Sequence, residues 1–549
     1  MRVAEHAAAR APGAPSAHWP LAAVAFVVLL AHLTLFPKIA DLDGFYHLGH
    51  AAAYAERSPF DTSLPWATQS VIAERGADMW WGFHVLLIPF TAIDDIEWGI
   101  RGAALALTLV LAGSVYWILR RHDVAGAGWW TGAFLVAVPT VLFRYLMLRP
   151  HMLSLGAALL LLSVLARGRW VHALLLSSLI TWLHLSYFWM APGIVAAYAL
   201  IRAVEKAAGV AGEDTAGVPA LPAIGAVLVG TALGWLLRPH PIEAGALAGI
   251  QIIRLFAEKA TEEPLLFAVE LSPLPVHNLL NTSWLFSTAW LGAVGATLTF
   301  AVRERWAPLA REERTLLVTS LLVSTVFLLL ALFSARRALV EWVAFGSLAL
   351  PLVWACLAPR IRAHPRRGLT AAAGLLLVGH LAWGAWRHHL NVDLVAFAPD
   401  TMEGPAAFLA ESSEPGDVVF HAKWDNFGPL FARNRENLYL GGMDPIFQFA
   451  HDSRRYWEFF YLSADLTTEW TCDAFPCQTG SATDTHRVLR EHFGARWVVV
   501  EPRRSPRLSL YLLEDPRFEL RHETQREAVF EILPAPSPPS ESTSSPPAE

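Results

Sequence analysis

The sequence predicts an α-helical polytopic membrane protein of about eleven spans, with a C-terminal α/β domain outside the bilayer. Three observations predict it. Of 549 residues, 54% are hydrophobic and only 16% charged, whereas a soluble chain carries about 25% charged residues. Apolar runs recur along the first 390 or so residues, separated by short arginine clusters. Beyond about residue 388 the runs shorten and become polar-flanked, as strands and helices of a water-exposed domain do. The net charge of −6, with no long basic stretch, excludes a nucleic-acid partner. Three cysteines exclude a disulfide framework, and 23 tryptophans suit membrane-interface anchors.

A span needs about 20 apolar residues, and candidate runs lie at about 18–38, 97–119, 127–143, 150–166, 170–184, 187–204, 218–237, 283–302, 315–334, 338–358 and 369–386. Residues 1–17 read as a disordered cytoplasmic N-terminus. The first run lacks a small-x-small cleavage site and is followed at once by Asp41, so it reads as a retained helix. The stretch Met79 to Ile93, bounded by Asp78 and Asp94-Asp95, is too short to span and reads as a juxtamembrane helix on the outer surface. With that assignment the inner loops hold about 16 Lys/Arg in about 63 residues, against about 9 in about 116 for the outer membrane loops. The N-terminus is then cytoplasmic and the C-terminus extracytoplasmic. Ala/Arg richness suggests a GC-rich bacterium and its inner membrane.

Outer loops 39–96 and 238–282, within a membrane domain spanning 18–387, are too long to be mere connections. The second contains an amphipathic stretch from Glu243 to Glu258 that reads as an interfacial helix. In the region 388–533, Asp417–His421 and Ala495–Glu501 read as buried strands, Phe518–Leu520 and Ala528–Leu533 as an antiparallel pair, and Gly404–Glu411 and His486–Phe493 as helices. Residues 534–549 are Pro/Ser-rich and read as disordered. Cys356 lies in a span and reads as packing. Cys472 and Cys477 are placed for a short-loop disulfide, with a metal site as the alternative, although no further ligands stand at suitable spacing.

Polar residues gather where spans end. Asp41-Leu-Asp43-Gly-Phe-Tyr46-His47 begins as the first run stops. Carboxylates at the rim of a low-dielectric cavity can act as a general base, or bind a divalent cation such as Mg or Mn, Asp43 above all. The plainer reading is that Asp41 and Asp43 cap the next helix, Phe45 to Arg57. Arg144, Arg149 and His151 mark one outer turn, and Arg336-Arg337 another. Arginine on the outer face runs against the positive-inside bias, and phosphate binding supplies a reason. Lipid headgroups, or an acid such as Glu341, are the alternatives. His184, His380 and His388-His389 read as packing.

Asp43-Gly-Phe-Tyr46-His47-Leu-Gly49, then Phe60-Asp61-Thr-Ser-Leu-Pro-Trp66 and Trp80-Trp81-Gly82-Phe83-His84, resemble the first outer loop of oligosaccharyltransferase catalytic subunits and of the wider GT-C membrane glycosyltransferases. Gly49 stands where that family has arginine. Lys423-Trp424-Asp425-Asn426-Phe427-Gly428, Asn434-Arg435 and Gly441-Gly442-Met443-Asp444-Pro445 resemble the family's Trp-Trp-Asp-x-Gly region. Arg149-Pro-His-Met-Leu153 is similar to an Arg-Pro-x-x-Leu element of metal-independent GT-C relatives. The resemblance implies a transferase that moves a sugar from a polyprenyl-phosphate carrier to a protein, lipid or glycan acceptor. It implies Asp43 as general base or acceptor-orienting acid with Asp41 assisting, and Arg144, Arg149 and Arg336 or Arg337 on the lipid phosphate. Tyr46, His47 and His151 would line the sugar site, and Trp424, Asp425 and Asn426 would meet the acceptor. The alternative is a non-catalytic GT-C-like protein that binds lipid-linked glycan or scaffolds a surface-polysaccharide complex. No cofactor is expected to be required, and a divalent cation, Mg or Mn, is left open.

Overall fold

The computed structural model describes residues 19–209, 220–261, 265, 268–303, 306, 309–363, 367–466, 469–478 and 480–534. The expected segments 1–17 and 535–549, and parts of the inner loops, lie outside them. Helices follow the apolar runs. Ile96–Arg121 shows why one begins and ends where it does. Asp95 accepts from the backbone N–H groups of Glu97 and Trp98, and Arg120-Arg121 stand at the negative end of the helix dipole. Among the described residues, five helices are long and apolar enough to cross a membrane: Ile96–Arg121, Leu185–Ala207, Val276–Val302, Arg311–Phe333 and Arg336–Pro359. Ala220–Leu236 and Pro241–Lys259 form a sixth if their 108° bend belongs to one broken span.

Other expected spans fall on shorter helices, among them Trp19–Leu33, His151–Ala166 and Trp170–Leu183. Fifteen residues of helix rise only about 22 Å, less than the roughly 30 Å hydrocarbon core. The run at 127–143 is two helices, Ala127–Val136 and Pro139–Tyr145, because Pro139 forces Val138 into an extended conformation. Composition does not register such interruptions, so the structure supports five to six full-length spans by length and apolarity.

The C-terminal region builds a six-stranded sheet. Its order is β1 (Ala67–Thr68), β3 (Leu438–Leu440), β2 (Val418–His421), β6 (Ala495–Val500), β8 (Ala528–Ile532) and β7 (Phe518–Glu523). The first four lie parallel, and β8 and β7 add antiparallel pairs. Four strands match the sequence expectation. The two- and three-residue strands β1 and β3 are too short to show alternation. β1 comes from the first loop, with Ala67 opposite Tyr439, so this sheet is not confined to one stretch of sequence. In a separate hairpin, β4 (Trp470–Cys472) with β5 (Ala482–Asp484), the Cys472–Cys477 disulfide ties the end of β4 to the connecting loop.

The helix Asp43–Glu56 packs against the helix Phe427–Arg433, which fixes the first loop to the C-terminal region. A Cβ on Gly49 would lie 3.1 Å from the Ala432 backbone. That close approach explains glycine where the family carries arginine. Tyr46, Phe427 and Phe431 fill the contact, each 1% exposed or less.

Candidate active site

Between these elements lies a cavity of about 350 Å³. Among the segments that reach it are the start of Asp43–Glu56, the turn before His151, the loop carrying Glu270, the turn at Arg337, and the Met443-Asp444 loop. Its lining combines charged and polar side chains with the apolar Trp189, Ile252, Phe256, Phe327, Leu330 and Val340.

Arg149 organises the charged end. Its Nε and Nη2 bond to the two carboxylate oxygens of Asp41, Nη2 also lies 2.9 Å from Asp43 Oδ2, and Nη1 lies 3.2 Å from Glu270. Arg144 pairs with Glu270 at 2.6 Å. Neither Asp41 nor Asp43 makes the capping contact of the plainer sequence reading: no side chain caps the helix that Asp43 begins.

Burial is the largest influence on Asp43 and pushes its carboxyl up to about 8, against the pull of Arg149, while the neighbouring acids Asp41, Glu270 and Asp444 add to the rise. Burial alone would raise Glu270 too, but Arg144 and Arg149 outweigh it and hold that group well below the usual carboxylate range. Asp444, bonded to Gln251 Nε2 at 2.7 Å, is raised by burial.

The cavity gathers Asp43, His47, Arg144, Arg149, His151, Arg337 and Trp424 of the expected residues. Asp41 faces a second cavity of about 230 Å³ on the other side of Arg149. Four expectations are corrected. Tyr46 does not line the cavity: it is core, its hydroxyl 3.1 Å from His50 Nδ1. Arg336 is tied back to Ser272 and Pro273, whereas Arg337 has no ion-pair partner among the described residues. Asp425 is occupied by Arg504 at 2.9 Å, and Asn426 is fully buried behind it. Adjacent residues of a turn point different ways, so a contiguous motif cannot deliver every side chain to one site.

Glu270, Asp444, His84 and Asp78 were missed as site residues. Asp444 and His84 stood inside the quoted motifs, while Glu270 has no local signal. Asp444 reaches the cavity through a turn that needs glycine. Gly442 has φ of +117°, and a Cβ there would meet the Phe427 ring at 2.9 Å. Gly442→Ala is expected to cost about 1–3 kcal/mol of stability; thermal unfolding in detergent measures it, and an unchanged melting temperature would refute the account.

Among the described residues, one group, His50, Asp78 and His84, lies close enough to hold a metal ion. Both ring nitrogens of His84 and both oxygens of Asp78 are, however, already committed to hydrogen bonds within the protein.

No family model matches the sequence, and no curated protein matches it. Solved structures do match in fold. ArnT from Cupriavidus metallidurans, in the apo state, aligns with a TM-score of 0.51 at 13% identity, over 93% of this chain and 96% of that one. The same protein bound to undecaprenyl phosphate gives 0.51 at 14%, over 94% and 98%. The arabinofuranosyltransferase AftD from mycobacteria gives 0.53 at 17%, over 95% of this chain but 42% of AftD. Alignment over nearly the whole chain includes both the helical part and the sheet-bearing C-terminal region. In architecture this chain is similar to these solved structures over nearly its whole length, a likeness of fold.

Proposed function

We propose that this protein is a membrane glycosyltransferase that moves a sugar from a polyprenyl-phosphate donor to an acceptor on the extracytoplasmic face. The observation that carries the reading is the cavity itself. A carboxyl poised at about 8 and an arginine without an ion-pair partner among the described residues share one space with apolar side chains. An amphiphile with a phosphate between lipid and sugar fits that polarity. The fold shared with ArnT, a protein that binds undecaprenyl phosphate, supports it.

In this reading Asp43 removes a proton from the acceptor's nucleophilic atom, which then bonds to the anomeric carbon. The bond from that carbon to the phosphate oxygen breaks, and its electron pair leaves on the polyprenyl phosphate. Arg337, with Arg144 beside it, meets the charge that grows there. Arg149, assigned to phosphate on sequence grounds, holds Asp41, Asp43 and Glu270 instead. Trp424, Met443 and Asp444 face the acceptor.

The test is turnover of radiolabelled undecaprenyl-phosphate sugars by purified protein with an acceptor extract. Binding without turnover across the panel would support the non-catalytic alternative. The pH profile is a sharper check. A base must be unprotonated, so transfer is expected to rise with pH and level off above about 8. Stability moves the other way. Between the ordinary value of 3.8 and about 8 the folded chain holds a proton that the unfolded chain has released, so this group's contribution falls as pH rises. A flat activity profile from pH 6 to 9 would remove Asp43 as the base.

A further inference from the structure

The second cavity, of about 230 Å³, has no part in the transfer step. Among the described residues it shares no lining side chain with the first. It lies where the helix Trp19–Leu33 ends and the helix Ile96–Arg121 begins. Its lining combines the buried Leu35, Leu146 and Leu148 with the exposed Leu29, Leu33, Phe36 and Trp98. The exposed members carry an apolar lining out to the molecular surface. At the end of a membrane-crossing helix such a surface meets acyl chains and their headgroups.

Two cations join this lining, Lys38 and Arg101. Arg101 donates from Nη2 to the Pro37 carbonyl, and its guanidinium lies 5.3 Å from the Phe36 ring centre and 5.7 Å from that of Trp98. The rings hold the group in place without supplying a counterion. Arg101 has no ion-pair partner among the described residues. The acids whose charge reaches it at longer range are committed elsewhere, Glu97 to Arg433 at 2.9 Å and Asp95 to the first backbone N–H groups of the helix. Lys38 Nζ donates to the Val392 and Asp393 carbonyls at 3.1 Å each, and the exposed Asp393 carboxylate lies 3.5 Å away. Asp41, the one acid in the lining, is bonded to Arg149. His32, the remaining titratable group there, is 3.0 Å from the Thr108 hydroxyl.

We infer that this cavity binds an anionic phospholipid, with an acyl chain against the leucines and the phosphate on Arg101 and Lys38. A basic pocket between membrane helices suits an anionic headgroup, and a guanidinium takes two phosphate oxygens as a fork. A zwitterionic lipid fits less well. Its ammonium needs a carboxylate, and the acid in the lining is already held. A polyprenyl phosphate seated here would place its sugar across Arg149 from Asp43, out of reach of the proposed base. Phospholipid binding therefore does not depend on the transferase reading.

The test places purified protein in nanodiscs of equal parts phosphatidylglycerol and phosphatidylethanolamine and reads retained lipid by native mass spectrometry. One phosphatidylglycerol is expected to stay on the wild type after the bulk lipid is stripped. Arg101→Gln combined with Lys38→Gln is expected to lower its affinity by about 10–100-fold, the scale of lost charge-assisted hydrogen bonds. Arg101→Lys keeps the charge and is expected to retain most of the lipid. Phosphatidylglycerol carrying a diazirine in its acyl chain is expected to label residues 29–35 and 146–148 of the wild type.

Equal retention of the two phospholipids, retention of neither, or labelling confined to other segments overturns the inference. Retention that survives the double substitution, in a variant that melts like the wild type, overturns it too. If the double variant does not fold, labelling of the wild type decides, with undecaprenyl phosphate as competitor. Label that persists supports the phospholipid, whereas label displaced from residues 29–35 assigns the cavity to a polyprenyl chain and overturns it.

Discussion

Replacing Asp43 by Asn is expected to slow sugar transfer by about 10²–10⁴-fold, the range for a lost general base. The substitution keeps the shape and removes the proton acceptor. Donor binding is expected to change little, because in the proposed reading Arg144 and Arg337 would meet the phosphate and the apolar side chains would meet the lipid. Steady-state kinetics on purified protein would separate the two effects: the loss should fall on kcat rather than on KM. Unchanged transfer by a folded variant would take Asp43 out of the mechanism. The substitution should also abolish the rise of activity toward pH 8, because that rise belongs to this carboxyl.

The second large effect concerns stability. Arg149 bonds to Asp41 and Asp43 from one segment and to Glu270 from another, and its side chain is 20% exposed. Arg149→Ala would strip the cation from Asp41 and Asp43 and leave Glu270 with Arg144 alone, in a site largely closed to water. Removing one partner of a buried ion pair costs about 3–5 kcal/mol, and the melting temperature in detergent should fall accordingly. Acidification should narrow the deficit, since protonated carboxyls no longer repel. Arg149→Lys keeps the charge but not the planar fork that reaches three partners, so it should fall between wild type and alanine. A loss below about 1 kcal/mol for Arg149→Ala would mean that the acids find other partners.

The helical character was legible because it is written in runs of about 20 apolar residues. The four longer strands of the C-terminal region were legible for a related reason: each is long enough to show a buried pattern. Their pairing order was not legible, and neither was β1, whose two residues gain strand character only by lying against Tyr439. The break at Pro139 was readable from the residue itself but hidden inside an apolar run.

The candidate site divides along the same line. Asp43, His47 and Trp424 could be singled out because each sits in a local motif at the mouth of a span or after one. The role of Arg149 could not. Its partners Asp41 and Glu270 lie 108 and 121 residues away, and only folding decides that a guanidinium meets those acids rather than a phosphate. The sequence by itself determined which segments are helical and where ionisable side chains cluster, since these follow from hydropathy and short-range geometry. Which of those side chains converge on one cavity, and which of them neutralise each other first, was decided by tertiary packing. Charge pairing depends on distance in space, and separation along the chain does not specify it.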